Sequence, residues 1–408
     1  HEEGGRKESS SANGSVGSRI YKHLMNGVSH MLPFVIGGGI LTALAFLIDT
    51  LCGYGATGGA NFGSMTPLSA FFKYAGGLAM GVMVPVLAGF IAESIADRPG
   101  LAVGFLGGIL ASSGNAALSG YVWAGDNLGG FQSFISKFGF VAEGGGNTVS
   151  GFLGGIAAGF LAGYVVLLLR KICSKFPKLE GIKPTLIYPL VGMFIVAVLM
   201  IFILNPIIGL INTGLSDMLT ALANKNLLIP LGIILGGMMA IDMGGPINKA
   251  AYVYGTMVLA TASELVAGGA QLSDPAVQAC YISMASVMIG GMVPPLGIAL
   301  ACIFFPKKFT KAERNSTVSN IVMACGFITE GAIPFAAADP LHVIPCTLVG
   351  AAVAGGMSAA FKCTLMAPHG GIFVFATVGN WLPYIISWLV GSVITCIMLG
   401  LIKRNVQE

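Results

Sequence analysis

Charged side chains are scarce in this chain of 408 residues, of which they make up 9%. Soluble domains carry roughly 25% charged residues, so the scarcity excludes an ordinary soluble protein. Hydrophobic residues make up 55% and gather in apolar segments, several of which approach the ~20 residues that cross a bilayer. The composition predicts an all-α polytopic membrane protein with about ten transmembrane helices. The shorter segments, broken by Gly or Pro, predict about two re-entrant hairpins.

The motifs of soluble enzymes and of metal sites are also missing. The chain contains neither GxxxxGK[ST] nor HExxH, the patterns of P-loop nucleotide binding and of zinc proteases. Its eight cysteines are scattered without CxxC or Cys/His spacing, so we predict no metal site and no cofactor. The small net charge of +4, with the basic residues in loops, argues against nucleic-acid binding. These absences favour transport over a self-contained membrane hydrolase.

The basic residues indicate the orientation in the membrane, because cytoplasmic loops carry an excess of Lys and Arg. Alternating spans bring all of the basic loops to one side, which predicts that both termini are cytoplasmic. Residues 1–18 are polar, lack the apolar core of a signal peptide, and are interpreted as a linker or a cloning remnant. The basic loop residues are Arg19, Lys22, Arg98 and the clusters at 170–183, 307–314 and 403–404.

A polar, amphipathic stretch at 212–225 divides the chain. Five long apolar segments with few internal charges precede it, whereas the segments that follow are shorter, broken and charged. We therefore predict a scaffold membrane domain at 19–225 and a substrate-binding membrane domain with the hairpins at 226–408.

One acid, Glu330, stands inside an apolar run, GFITEGAIPF at 326–335. A carboxylate at membrane depth is expensive and tends to face a cavity, a pathway or a partner. Gly331 and Pro334 interrupt the helix beside it. Such a carboxylate can accept a proton or hold a substrate hydroxyl. The alternative is a structural ion pair with Lys249 or another cation.

A second polar cluster, IDMGGPINKAAY at 241–252, joins an acid, an amide and a cation in one short segment. Its Gly-Gly-Pro sequence at 244–246 breaks the helix and frees backbone groups. Asn248 is the best ligand candidate, because an amide both donates and accepts hydrogen bonds. The alternative is a hairpin tip in which Asp242 and Lys249 cap helix ends and pair with each other.

Two more clusters interrupt apolar sequence. His369 lies in MAPHGGI at 366–372, where it can accept or shuttle a proton near neutral pH, or else bond to the backbone. Asn147 lies in EGGGNT at 143–148, whose glycines permit close backbone approach. The alternative for Asn147 is a helix cap at the end of a flexible loop.

Three of these segments, in this order, resemble the fructose family of sugar-phosphotransferase permeases, the membrane IIC component of enzyme II. The match rests on DMGGPINKAA at 242–251, GFITEGAIPF at 326–335 and APHGG at 367–371, and GGNT at 145–148 is also similar. The resemblance extends from about residue 19 to 404, nearly the whole chain.

The resemblance implies a glucose-superfamily-like IIC elevator fold in the bacterial cytoplasmic (inner) membrane, in contact with membrane lipid. It implies a homodimer, with a scaffold and dimerisation domain and a mobile substrate domain bounded by two hairpins in each protomer. The implied activity is uptake of fructose and its phosphorylation to fructose 1-phosphate by a IIB partner that carries a phosphocysteine. Glu330 and His369 would be the catalytic residues. The implied substrate-binding residues are Asp242, Asn248, Lys249, Thr329, Gly331, Asn147 and Gly370.

In this interpretation Glu330 accepts the proton of the attacking sugar hydroxyl, and His369 orients that hydroxyl or offsets charge, because phosphoryl transfer depends on positioning and charge stabilisation. Lys249 or backbone amides at a hairpin tip would hold the incoming phosphoryl group. We find no IIA or IIB domain and no cysteine in a phosphate-cradling loop, so we expect the phosphocysteine to come from a partner, or from a domain formerly joined to the polar N-terminus. The alternatives are an ion-coupled secondary transporter that uses Asp242, Glu330 and His369, and the same class with another sugar, such as mannosyl-glycerate.

Overall fold

The computed structural model describes residues 15–54, 63–115, 149–243, 246–366, 371, 375 and 378–406. Within these ranges the chain is helical, and the one pairing of extended residues is an isolated bridge between Thr364 and Gly379. Short 3₁₀ and π turns join some of the helices. The α-helices are α1 (Val16–Leu51), α2 (Pro67–Gly81), α3 (Met83–Ala96), α4 (Arg98–Ser113), α5 (Gly151–Cys173), α6 (Tyr188–Leu199), α7 (Asn205–Asn224), α8 (Leu228–Ile241), α9 (Pro246–Ala267), α10 (Pro275–Phe304), α11 (Lys311–Asn315), α12 (Thr317–Cys325), α13 (Ile333–Ala338), α14 (Pro340–Ala360) and α15 (Trp381–Ile402).

Seven stretches within the described ranges are long and apolar enough to cross a membrane. This confirms the prediction of an all-α polytopic membrane protein. The total of about ten spans and the two re-entrant hairpins stay predictions. The seven stretches are Val16–Leu51, Pro67–Ala96, Gly151–Cys173, Lys183–Asn224, Pro275–Phe304, Pro340–Ala360 and Trp381–Ile402.

The chain divides into two compact units. The first unit comprises the residues up to Phe34 together with Gly81–Leu215, and the second comprises Val35–Met80 and the chain from Ser216 onward. The division into a scaffold domain at 19–225 and a substrate domain at 226–408 stays a prediction.

Small residues allow the helices of the first unit to pack closely. A Cβ added at Gly104 would lie 2.6 Å from the Cβ of Ala92, and one at Gly108 would lie 2.6 Å from the Cα of Pro85. Close backbone approach of this kind drives helix association in membranes, where lipid removes the hydrophobic effect between helices. The small residues recur every fourth position: Ala88, Ala92 and Ala96 on α3, and Gly100, Gly104 and Gly108 on α4.

The second unit is organised around α10. In an apolar segment of 18 residues within α10, 83% of the residues are buried, whereas the corresponding segments of the other six stretches are 28–56% buried. Glycines bring α8, α10 and α14 together, since a Cβ at Gly290 would lie 2.6 Å from the Cα of Gly236. One at Gly236 would lie 2.5 Å from the oxygen of Ala351. The hydroxyl of Ser286 also donates a hydrogen bond of 3.1 Å to the oxygen of Gly355.

We expect Gly290→Ala to destabilise the protein, because the added Cβ would meet backbone atoms of Gly236 that cannot move aside. Overpacking of a tight core costs about 1–3 kcal/mol. Gly77→Ala in α2 is the control, since a Cβ there meets nothing within 4 Å. Thermal unfolding in detergent measures both variants, and equal melting temperatures would contradict this description of the α8–α10–α14 contact.

Candidate functional site

Two prolines in α10 leave backbone carbonyls without their helical donors. Pro294 and Pro295 lie inside the helix and have no N–H, so the oxygens of Gly290 and Gly291, four residues earlier, lose that hydrogen bond. The buried hydroxyl of Thr329 takes the place of the missing donor at one of these oxygens, because it donates a hydrogen bond of 2.7 Å to the Gly291 oxygen. The sequence of α10 therefore provides an attachment point for the segment that contains Thr329.

The acid-bearing segment forms a turn that is anchored on α10. Thr329–Ala332 is a 3₁₀ turn between α12 and α13. Phe327, just before it, has a positive φ of 59°, and a Cβ added at Gly291 would lie 2.5 Å from its ring. Glu330 and Gly331 belong to this turn. The side chain of Glu330 lies outside the described atoms, so its catalytic role stays a prediction.

The Asp242–Asn248 segment makes a capped helix start. The Asp242 carboxylate accepts the backbone N–H groups of Ile247 at 2.9 Å and Asn248 at 2.8 Å. These contacts correspond to the structural alternative, in which Asp242 caps a helix end. The Asn248 amide donates to the oxygen of Met239 at 2.9 Å, and Lys249 is exposed. The predicted substrate contacts of all three side chains stay predictions.

The chain between α14 and α15 is closed at its base. Thr364 and Gly379 exchange two backbone hydrogen bonds of 3.2 and 3.0 Å. Leu365 donates its N–H to the oxygen of Tyr281 on α10 at 3.1 Å. His369 and Gly370 lie outside the described residues, so their roles stay predictions. Leu365 before them and Gly371 after them are both bonded to α10.

Gly371 fixes the far side of that loop at the centre of α10. Its N–H donates to the sulfur of Met292 at 3.2 Å. Its φ of +93° is in the left-handed region, and a Cβ would collide with the oxygen of Cys325. Only glycine fits such a position without strain. The residue that ends the Pro-His-Gly-Gly sequence is therefore held against α10 and the end of α12.

Two of the sequence clusters bond to consecutive residues of α10, Thr329 to Gly291 and Gly371 to Met292. The third cluster adjoins them through Asn248, which donates to the oxygen of Met239, and the methyl group of Met239 would lie 3.1 Å from a Cβ at Gly291. An open cleft of about 460 Å³ also brings Asp242 of one cluster close to Ile333, directly after the acid-bearing turn. Asn147, from the fourth cluster, lies outside the described residues.

Sequence reasoning missed one polar residue in this region. Asn320 on α12 is 2% exposed, and its amide nitrogen has no hydrogen-bond partner in the described part of the chain. Its oxygen lies beside the acid-bearing turn, 2.5 Å from where a Cβ on Gly331 would be. A buried amide without a partner costs free energy and needs an explanation. The sequence feature that could have indicated this residue is its position as an Asn inside the apolar stretch 316–328.

The comparisons with known proteins agree with the sequence resemblance. The family model described as "Phosphotransferase system, EIIC" matches residues 25–350. The chain belongs to this EIIC family. No solved structure matches the chain significantly.

Among curated EIIC relatives, the "Fructose permease IIC component" of Bacillus amyloliquefaciens is 45% identical over 331 residues, covering 81% of this chain and 91% of that protein. The "PTS system fructose-specific EIIC component" of Haloferax volcanii is 37% identical over 392 residues, covering 95% and 93%. The "PTS system fructose-specific EIIABC component" of Bacillus subtilis is 44% identical over 395 residues, covering 96% of this chain but 53% of that protein. This EIIC chain therefore spans about half the length of that relative.

We expect Thr329→Val to destabilise this EIIC chain by about 1–3 kcal/mol, the cost of a buried carbonyl without a donor. The cost should shrink in a Pro295→Ala background, because residue 295 then has an N–H that can reach the Gly291 oxygen. Thr329→Ser, which keeps the hydroxyl, is the control. Thermal unfolding of the single and double variants gives the coupling, and strictly additive effects would show that the two residues do not share this oxygen.

Proposed function

We propose that this chain is the membrane permease of a phosphoenolpyruvate-dependent phosphotransferase system that takes up fructose and presents it for phosphorylation to fructose 1-phosphate. The names of the relatives support fructose as the substrate. The observation that carries the proposal is the attachment of two polar clusters to Gly291 and Met292 of α10, with the third cluster adjoining them through Met239. A transport site needs such convergence of broken, polar segments inside an apolar protein.

The phosphoryl donor in this proposal is a IIB protein or domain that carries a phosphocysteine. Relatives named EIIABC and EIIB'BC support such a partner, because IIB components appear in their names. Cys363, beside the loop that contains His369, does not fit this role. Burial raises the pKa of its thiol to about 11, so it stays protonated near neutral pH and is a poor nucleophile.

The role proposed for each residue follows from the chemistry of its side chain. Glu330 accepts the proton of the attacking fructose hydroxyl, and His369 orients that hydroxyl or offsets developing charge. Asp242, whose carboxylate caps α9, supports the site by fixing this helix start. Lys249, which is exposed, or backbone amides at the hairpin tip hold the incoming phosphoryl group while it passes from the phosphocysteine of the partner to the fructose hydroxyl.

The proposed architecture is an elevator-type homodimer in the bacterial cytoplasmic membrane. It has about ten spans and two re-entrant hairpins, a scaffold domain at 19–225, and a mobile substrate domain at 226–408. Both termini are cytoplasmic, because the basic loops then lie inside. The positions of Arg314 and Lys403 support this orientation. Arg314 donates to the oxygen of Pro306, and Lys308 donates to the oxygen of Lys403, so these basic residues gather at the C-terminal ends of α10 and α15.

Sugar phosphorylation in membrane vesicles tests the proposal. The vesicles receive the general phosphotransferase proteins, a fructose-type IIB, and fructose, mannose, glucose or mannosyl-glycerate in parallel. We expect fructose 1-phosphate that disappears when IIB is left out. Phosphorylation of another sugar would keep the class and replace the substrate. Uptake that needs a proton gradient and no IIB would support an ion-coupled transporter instead.

We expect Glu330→Gln to abolish phosphorylation in this assay while leaving folding intact, because glutamine keeps the size of the side chain and loses the proton acceptor. Glu180→Gln is the control, since Glu180 is an exposed partner of Lys183 outside the second unit. The melting temperature in detergent reports folding. Normal turnover of Glu330→Gln would remove the catalytic assignment.

We also propose that Asn320 donates to the bound sugar or to the acid-bearing turn during turnover. Asn320→Leu should leave the melting temperature unchanged or raise it, because it removes an unpaired buried group. Phosphorylation of fructose should nevertheless fall by about tenfold or more, as for loss of one hydrogen bond to a reacting complex. Met323→Leu, which changes packing against Gly331 without changing polarity, is the control. Unchanged activity of Asn320→Leu would refute this role.

A further inference from the structure

The first unit contains an apolar groove with a cation at one end. The groove has a volume of about 740 Å³ and is lined by α1, α3, α4 and α6. A stripe of α4 forms one wall over its whole length, and Ala102 in this stripe is exposed. The stripe consists of Arg98, Leu101, Ala102, Phe105, Leu106 and Ile109.

α4 therefore has two different faces. Its small residues, such as Gly104 and Gly108, are buried against α3 inside the unit. Its large apolar residues recur at intervals of three and four, as one face of a helix does, and line the groove. From Arg98 to Ile109 the groove extends about 16 Å along the helix, at 1.5 Å per residue. This length suits one acyl chain lying along α4.

The polar end of the groove contains Arg98 and His30. Within the described ranges, the Arg98 guanidinium makes no hydrogen bond or ion pair, and the side chain is exposed. The Nδ1–H of His30 donates to the oxygen of Asn26 at 2.8 Å, and its ring stacks on Phe90 with centroids 3.9 Å apart and planes at 3°. The imidazole is therefore fixed in orientation, and Arg98 is the side chain of this end that can donate to an anion.

The positive and negative side chains next to this end of the groove nearly cancel, so Arg98 supplies the excess positive charge. A second cleft shares His30 with the groove and contains Arg19 and Lys22, but also Glu93 and Asp97. The Asp97 carboxylate lies 3.8 Å from the guanidinium of Arg170. An anion placed between Arg98 and His30 would meet positive charge that no acid in the described part of the groove lining neutralises.

We infer that this groove is a binding site for one anionic phospholipid. One acyl chain lies along the α4 stripe from Leu101 to Ile109, and the phosphodiester accepts hydrogen bonds from the Arg98 guanidinium, beside the His30 ring. A free phosphate would use only the polar end, whereas the long apolar wall requires a chain. A zwitterionic lipid carries its own cation and gains less from Arg98.

Native mass spectrometry of the purified protein with dioleoyl phosphatidylglycerol or dioleoyl phosphatidylcholine tests this site. We expect one phosphatidylglycerol molecule to be retained more strongly than phosphatidylcholine with the same chains. Arg98→Gln should lower the affinity for phosphatidylglycerol about fivefold, as expected for one cation at a lipid headgroup, and leave phosphatidylcholine unchanged. Lys171→Gln, at an exposed cation outside the groove, is the control.

A second variant keeps the test independent of Arg98. Ala102→Phe fills the exposed groove and should remove retention of both lipids, while the melting temperature reports that the protein is folded. Equal retention of the two lipids, or the same result for Arg98→Gln and Lys171→Gln, would overturn the site. Cross-linking of an Ile109→Cys variant into dimers would show that a second copy covers the groove, which also overturns it.

Discussion

The pair of prolines in α10 is the constraint on which the candidate site depends. A helix interior that contains Pro294 and Pro295 has carbonyl oxygens without donors, and burying them unpaired would be costly. The protein satisfies the Gly291 oxygen with the hydroxyl of Thr329, 38 residues further along the chain. The same short stretch bonds to two other elements: the Met292 oxygen accepts the indole N–H of Trp388, and its sulfur accepts the N–H of Gly371.

This arrangement explains how irregular segments can be held inside an apolar protein. The turn at Thr329–Ala332 and the residue Gly371 are each bonded to α10, which is a rigid neighbour for them. α10 is suited to that role because it is the most deeply buried of the described spans. Glycines at 290 and 291 leave room for the neighbouring backbone and for the ring of Phe327. The proposed catalytic acid, Glu330, is next to Thr329 in this anchored turn.

The sequence was sufficient for the fold class and the family, but not for the contacts. Low charge and long apolar segments determine a helical membrane protein, and the order of three polar clusters identifies the EIIC family, which the comparisons confirm. The pairing of Thr329 with Gly291 depends on tertiary packing, which periodicity does not report. Asp242 illustrates a different limit, because the same carboxylate pattern serves a ligand or a helix cap, and here it caps α9. Asn320 was missed because one amide in an apolar stretch carries little signal.

A structure of the protein with fructose bound, determined in lipid nanodiscs, would test the assignment of the site most directly. We expect the sugar between the Thr329–Ala332 turn and the loop that joins α14 to α15 and contains Gly371, within hydrogen-bond reach of Glu330 and His369. Thr329 should still donate to the Gly291 oxygen, and Gly371 should remain on Met292. A sugar bound away from both segments, or segments detached from α10 in the bound state, would contradict the proposed site.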